Sequence, residues 1–328
     1  MNDKAVNLLE QYDMEPVRTW KGRGAFLCET SGGLRIFKEY TGPIKKIGFL
    51  HAHLEHLKRQ GDSMVEQIIP NKEGELLTYD TYKTPYVLKQ YFPGSEINYK
   101  DLFECEKAVQ RLAGLHLCSD IWFKEQQEME GVLPVYQITG ELERHNRELK
   151  KVKRYLKEKG TKSPFELYLS RHYDYFYDSA LQVVEELKYY DTVKACSGDY
   201  VVCHGDFQYH NILGSNGSYG IINFEKCVQD YGIRDLCLFM RKLLEKSNWS
   251  PQVGDRLFAA YDAVKPLTLG DRVQLHYRLA YPEKFWKIVN YYYNNGKAWI
   301  PGKNMEKLAL LQEQEEKKQE FLAKILEL

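Results

Sequence analysis

Net charge, long apolar runs and paired cysteines are all missing from this 328-residue sequence. Lys plus Arg number 46 and Asp plus Glu 46, so no global field steers the chain to nucleic acid or to an anionic membrane, and neither is an expected partner. No stretch of about 18 uninterrupted apolar residues occurs, which excludes an obvious membrane helix. The opening MNDKAVNLLEQYDMEP lacks a basic region followed by an apolar run, so no secretory signal is expected and the cytoplasm is the expected compartment. The seven cysteines (Cys28, Cys105, Cys118, Cys196, Cys203, Cys227, Cys237) are odd in number and never spaced C-x-x-C. That pattern predicts small buried thiols rather than disulfides or a zinc site. No internal repeat is visible. What is present is an ordinary globular balance, 43% hydrophobic and 28% charged, in a chain long enough for about two units of 100 to 200 residues.

The texture changes along the chain. GAFLCET and GLRIFKEY are β-prone runs joined by Ser31-Gly32-Gly33, a hairpin signal. IKKIGFLHAHLEHLKRQG carries Ile47, Leu50, Leu54 and Leu57 at helical spacing and ends at Gly61. GELLTYD and PYVLKQYF read as two more strands, so the expected order is strand, strand, helix, strand, strand. After Pro93-Gly94, helical periodicity dominates residues 99–118, 137–160, 164–195, 233–246 and several segments beyond 251. Leu236, Met240, Leu243 and Leu244 form one such face, expected to point into the core. YVVCHGD and YGIINFE read as short strands flanking a loop. The sequence therefore predicts an α+β bilobal, kinase-like fold. Residues 1–91 would form a small antiparallel β-sheet lobe with one helix, and residues 92–328 a large, mainly α-helical lobe, with 90–94 as hinge. The final MEKLALLQEQEEKKQEFLAKILEL is expected as one amphipathic helix on the body, with Glu313 four residues before Lys317. A partner-binding helix is the alternative there.

Phosphoryl transfer from ATP needs a carboxylate for the attacking hydroxyl, metal ligands for the phosphates, and a lysine fixed by a glutamate. The chain offers each in order. His204-Gly205-Asp206 leads to Asn211, with Asp206 placed as base and Asn211 as metal ligand on the same loop. A turn at 215–218 and an apolar strand then deliver Asn223-Phe224-Glu225, where a second metal ligand would stand. Strand alternation puts Lys38 on the face of Leu34 and Ile36, where an ammonium needs a partner. Glu55, the one carboxylate in the following helix, is the expected partner. Gly22 and Gly24 in KGRGAF would let the backbone approach phosphate. Gln90, Tyr91 and Phe92 would offer backbone groups to an adenine.

Two further signals read more plainly as structure. His51, His53 and His56 in HAHLEH include an i, i+3 pair capable of sharing a metal, but two histidines make no complete site and an exposed helix face is expected. The 25 tyrosines are expected to pack their rings and leave their hydroxyls at the surface, with a cross-linking role as the alternative.

H-G-D-x-x-x-x-N, an apolar strand with an acidic cluster, and LAGLH on an earlier helix resemble the aminoglycoside phosphotransferase and choline kinase branch of the kinase-like fold. YVLKQYFPG and YPEKFWKIVNYYYNNGKAWIP are similar to CotS-type spore-coat proteins of endospore-forming bacteria. The resemblance runs from the first strand to Pro301. It implies ATP and Mg²⁺ as cofactors, a small-molecule hydroxyl acceptor, coat proteins as partners, and a mother-cell cytoplasmic protein ending in the spore coat. It also implies roles: Lys38 for the nucleotide with Glu55 beside it, Asp206 as base, Asn211 as metal ligand, and Asp235 as a brace for the catalytic loop. The departure is Asn223, where transferring relatives carry Asp; a neutral amide should weaken a Mg²⁺ site, and Glu225 is the candidate replacement. Two functions follow: an ATP-dependent small-molecule phosphotransferase, or a catalytically impaired pseudokinase serving as a coat scaffold.

Overall fold

The structure is a computed structural model that describes residues 3–22, 24–125, 132–193, 200–294 and 301–327. Cys196, the last two residues of the helix expected over 164–195, and 295–300 of the tyrosine-rich motif lie outside the described residues.

The chain opens with a helix that periodicity did not predict, α1 (Asp3–Leu9). Seven residues are too few for a helix to persist alone in water. It forms because Ala5, Leu8, Leu9 and Tyr12 pack with Cys28, Phe37, Tyr86 and Leu88 in one core cluster, each large side chain adding about 1.5–3 kcal/mol on burial. The sheet beside it contains β1 (Pro16–Gly22), β2 (Ala25–Thr30) and β3 (Gly33–Glu39). The β2–β3 hairpin pairs Thr30 with Gly33, and Gly33 (φ +103°) takes a backbone conformation that a side chain would strain. Helix α2 (Ile44–Arg59) follows and stops before Gly61 at φ +94°. Its buried face holds Ile47, Leu50, Leu54 and Leu57 as expected, but also Phe49, His53 and His56. The expectation of exposed histidines is thus corrected. His53 stacks on Phe49 and meets Ser119 Oγ at 3.4 Å, and burial pushes its pKa down to about 3.

Strand β4 is only Thr78–Tyr79, because Asn71 Oδ1 accepts the N–H groups of Glu73 and Glu75 and folds that stretch into a turn. β5 (Pro85–Gln90) completes a five-stranded antiparallel sheet of order β1-β2-β3-β5-β4. After β6 (Ser95–Glu96) come α3 (Leu102–Glu125), α4 (Ile138–Glu158) and α5 (Pro164–Val193). β7 (Tyr200–Cys203) leads into β8 (Ile212–Ser215) and β9 (Ser218–Ile221), a hairpin with Asn216 and Gly217 both at positive φ. β10 (Val228–Tyr231), not predicted, pairs antiparallel with β7.

The remaining helices are α6 (Ile233–Lys246), α7 (Pro251–Asp262), α8 (Leu269–Ala280), α9 (Glu283–Asn294), α10 (Pro301–Glu313) and α11 (Glu315–Glu327). Leu236, Met240, Leu243 and Leu244 are buried. The single C-terminal helix expected over 305–328 is instead two. They part at Gln314, which is buried and donates Nε2 to Glu245 O at 2.9 Å, so Glu313 and Lys317 do not share one helix. Several tyrosine hydroxyls are inside rather than at the surface: Tyr173 donates to Leu149 O at 2.7 Å and Tyr281 to Asn146 Oδ1 at 2.9 Å. A buried hydroxyl is retained only with such a partner. The six cysteines described form no disulfide with one another, and only Cys118 among them is partly exposed. No helix of the described residues is long and apolar enough to cross a membrane.

Backbone packing separates two compact units. One is Met1–Val135, Tyr200–Phe239 and Ala259–Lys265; the other is Tyr136–Asp199, Met240–Phe258 and Pro266–Leu328. The texture boundary at 91/92 falls inside the first unit, which also holds every candidate site residue. The second is a helical assembly in which α4 meets α5 through the Tyr173 hydroxyl, and α11 meets α8 through buried Lys318, whose Nζ donates to Ala280 O at 2.8 Å.

Candidate active site

The site grows from the end of β7. His204, Gly205 and Asp206 turn sharply there. Gly205 (φ +78°) lies so close to the Lys226 carbonyl that a Cβ would collide with it. Asp235, in the first turn of α6 and fully buried, accepts from His204 N at 2.5 Å and Gly205 N at 2.9 Å. His116, from the LAGLH stretch, meets Asp235 Oδ2 through Nε2 at 3.3 Å and the Tyr261 hydroxyl through Nδ1 at 2.8 Å. Burial works to raise the Asp235 carboxyl, yet the bond to His116 and the backbone donors hold it below its ordinary value. His204 Nδ1 accepts from Asp206 N at 3.1 Å. Its Nε2 is therefore the protonated nitrogen, donating to Ile222 O at 2.9 Å. Asp206 itself is paired with Lys226, Nζ to Oδ2 at 2.8 Å.

Asn211 sits on a 3₁₀ turn (Tyr209–Asn211) and is 2% exposed. Its Nδ2 donates to Asp206 O at 2.8 Å, while its Oδ1 accepts from Asn223 Nδ2 at 2.8 Å. Asn223 has φ 70° and ψ 53°, a left-handed conformation that Asn tolerates better than most side chains. Its own Oδ1 accepts from Lys38 Nζ at 2.9 Å. Lys38, Asn223, Asn211 and the backbone of Asp206 thus form one continuous hydrogen-bonded chain.

Lys38 does not pair with Glu55. It reaches Glu225 Oε1 at 3.3 Å instead, while the Glu55 backbone carbonyl accepts from Arg59 Nε within α2. The reason is rotational: the side of α2 that packs inward carries Leu50, His53, Leu54 and Leu57, leaving Glu55 half-buried beside it. The carboxylates that matter come from elsewhere. Lys89, 1% exposed, lies on the Lys38 face of the sheet, opposite Ile36. It contacts Glu66 Oε2 at 2.8 Å and Glu225 Oε1 at 2.7 Å. Glu66, equally buried, also accepts the N–H groups of Asn223 and Phe224 at 2.9 and 3.0 Å. Glu225 stands on a 3₁₀ turn (Phe224–Lys226), not on a strand continuing from Asn223. Burial would raise its carboxyl, but Lys89 and then Lys38 outweigh that and hold it at about 2. For Lys89, burial opposes the charge while Glu66 and Glu225 restore it, leaving the ammonium at about 12. Lys89 was legible by the argument used for Lys38, an ammonium inside an apolar strand. Glu66, outside any periodic element, carried no signal.

Gly22 ends β1 and Gly24 (φ +68°) precedes β2; residue 23 lies outside the described residues. At 90–92 the backbone is largely committed: Gln90 N donates to Gln67 O and Tyr91 N to Leu34 O. The Phe92 N–H has no partner among the described residues, and the Phe92 ring packs against Gly220, where a Cβ would come within 2.5 Å of it.

Mg²⁺ asks for several oxygens in near-octahedral array, usually including carboxylates. Asn211 Oδ1 and Asn223 Oδ1 each already accept an N–H, and Glu225 is held between two ammonium groups. As arranged, these residues do not fit a divalent metal. Ligand-type atoms of His116, Cys203 and Asp235 also gather within 4.8 Å of one another. They are spent as well, Cys203 Sγ donating to Tyr231 O at 3.3 Å and Asp235 bracing the loop.

The family model described as "Spore coat putative kinase YutH" matches residues 5–325. "Spore coat protein S" of Bacillus subtilis (strain 168) is 25% identical over 331 residues, covering 94% of this chain and 88% of that protein. Among solved structures, an aminoglycoside phosphotransferase from Alicyclobacillus acidocaldarius aligns at a TM-score of 0.80 and 18% identity, over 97% of this chain and 94% of that one. The amicoumacin kinase hAmiN, in complex with AMP-PNP, Ca²⁺ and Ami, aligns at 0.63 and 11% identity, over 98% and 94%. The fold is accordingly the α+β kinase-like one, a small antiparallel sheet region followed by a mainly helical part.

Proposed function

The chain belongs to the spore-coat YutH kinase family, and from that premise we propose a coat protein whose kinase-like site binds a purine nucleotide but does not transfer its phosphate. The observation carrying this reading is the Lys38–Asn223–Asn211 chain, which joins by direct hydrogen bonds two groups that a phosphotransferase would bridge with metal. Transfer relies on positioning and on charge stabilisation of the leaving phosphate. With the metal ligands mutually satisfied, the second of these is missing.

Nucleotide binding itself is supported by what remains. The Phe92 N–H, without a partner among the described residues, lies next to the end of β5 and is suited to an adenine ring nitrogen. Lys38 is about a third exposed and can turn toward phosphate. Nucleotide in the hAmiN complex agrees with this use of the fold. When Mg²⁺ is present in such a site it neutralises phosphate charge; here Lys38 alone would meet the phosphates and Asp206 would orient a hydroxyl without a reaction to serve. The second reading, a small-molecule phosphotransferase, draws on the intact brace of Asp235 on the 204–205 backbone.

The deciding experiment incubates purified protein with labelled ATP, Mg²⁺ and a panel of amino-alcohols and amino-sugars, beside a melting measurement. Nucleotide at about a hundred times its Kd should stabilise by about 2.7 kcal/mol, a shift of several degrees, with no phosphate transferred. Mg²⁺-dependent transfer abolished by Asp206→Asn would overturn the reading in favour of the phosphotransferase. Coat residence is checked by fractionating spores and probing the coat extract for this chain and for proteins cross-linked to it.

A further inference from the structure

The helical unit carries a cavity of its own. It has a volume of about 550 Å³, within the range of small-molecule sites, and its described lining residues all belong to the unit of Tyr136–Asp199, Met240–Phe258 and Pro266–Leu328. Lys242 and Lys246, near the end of α6, and Lys284, in the first turn of α9, bring ammonium groups to it. Glu313, at the end of α10, and Gln314, at the break before α11, bring acceptors.

Gln314 carries the argument. Where α6 ends, Ser247 N closes on Leu243 O and Trp249 N on Leu244 O, at 2.8 and 2.7 Å. Glu245 O is one of the carbonyls that a helix end leaves over, and Gln314 Nε2 answers it at 2.9 Å. That bond fixes the orientation of the amide, because the reverse would set oxygen against oxygen. Its Oε1 is then a buried acceptor without a partner among the described residues, on a residue 4% exposed. A buried oxygen of this kind calls for an O–H or N–H donor.

Lysines near a helix C-terminus are ordinary, since they complement its partial negative charge. That accounts for Lys242 and Lys246, but not for Lys284 or for the Gln314 acceptor. Lys284 is held by Glu245 Oε2 at 3.2 Å, which occupies only one of the three N–H donors of its ammonium. Lys242 and Lys246 are four residues apart, so their Cβ atoms stand about 6 Å from each other on one face of α6, a spacing at which one tetrahedral anion meets both. Three ammonium groups suit the three terminal oxygens of a phosphate monoester. Glu313 and Gln314 Oε1 suit hydroxyl hydrogens on the esterified alcohol.

We infer that this cavity binds a hydroxylated phosphate monoester, of the sugar phosphate or polyol phosphate class. None of its lining residues belongs to the site built on Lys38.

The test is titration of the full chain with glucose 6-phosphate and glycerol 3-phosphate, read by calorimetry and phosphorus NMR line broadening, with inorganic phosphate and glucose as separate arms. Expected is saturable binding of at least one ester, about tenfold or more tighter than inorganic phosphate, and none of glucose. Lys242→Ala with Lys246→Ala changes two exposed side chains and should weaken the ester about tenfold or more. Glu313→Ala should bring ester and inorganic phosphate within about threefold of each other, with phosphate itself no weaker. Lys38→Met should change ester affinity by less than about twofold. No saturable binding of either ester overturns the inference, as does ester binding that survives the double lysine change. Loss of ester binding in Lys38→Met also overturns it, by placing the ester in the nucleotide site. Esters no tighter than inorganic phosphate overturn the hydroxylated-ester class.

Discussion

Two halves of one loop system have diverged. Residues 204–211 are braced through their backbone: Asp235 clamps the backbone, His116 and Tyr261 hold Asp235, and His204 is fixed in one tautomer. Residues 223–226 are wired into lysines instead, with Asn223 on Lys38 and Glu225 on Lys89 and Lys38. The difference teaches that backbone bracing and charge pairing are set independently within one loop system. Backbone bracing stabilises the fold by itself, whereas charges gathered in one place need partners.

The sharpest way to break the second half is Lys89→Ala. It strands the buried Glu66 carboxylate and should lower stability by about 3–5 kcal/mol, read by denaturant unfolding. The triple change Lys89→Met, Glu66→Gln, Glu225→Gln removes the unpaired buried charge and should recover part of that, short by the about 1–3 kcal/mol of turning an amide N–H against the backbone N–H of Asn223 or Phe224. Asp235→Asn tests the first half: one backbone N–H of 204–205 would face an amide N–H, costing about 1–3 kcal/mol.

Acid sharpens the comparison further. Glu225 titrates at about 2 in the folded chain, against an ordinary 4.5. A depressed pKa contributes stability that is full above 4.5 and lost as pH falls toward 2. Stability measured across that window should decline in the parent, and the Glu225 share of the decline should vanish in Glu225→Gln. At the other end, Lys89, raised from 10.5 to about 12, contributes stability that is full below 10.5 and lost as pH rises through 12. The smallest effect is Glu55→Ala, expected to stay within about 0.5 kcal/mol; a loss comparable to Lys89→Ala would mean that Lys38 leans on α2 after all.

Much of this was legible beforehand. The helical periods of α2 and α6, the β2–β3 hairpin and the order of His204, Asp206, Asn211 and Asn223 follow from local spacing, which the chain carries along its own length. Glu55 was chosen as the partner of Lys38 because it was the nearest carboxylate in the next helix. Proximity in sequence does not specify which way a helix turns, and α2 turns His53 and His56 inward. α1 was invisible because its stability comes from residues 28, 37, 86 and 88 rather than from its own seven.

The sequence by itself determined the alternation of strands and helices, the neutral surface, and the amide at 223 in place of a carboxylate. Each of these is a property of residue type or of spacing along the chain. Only the tertiary structure decided that Lys89 meets Glu66 and Glu225, and that Asn223 bridges Lys38 to Asn211. Those pairs join residues as much as 185 positions apart. Their partners were brought together by folding, because a buried charge such as Lys89 or Glu66 needs an opposite one beside it, and no local pattern records that selection.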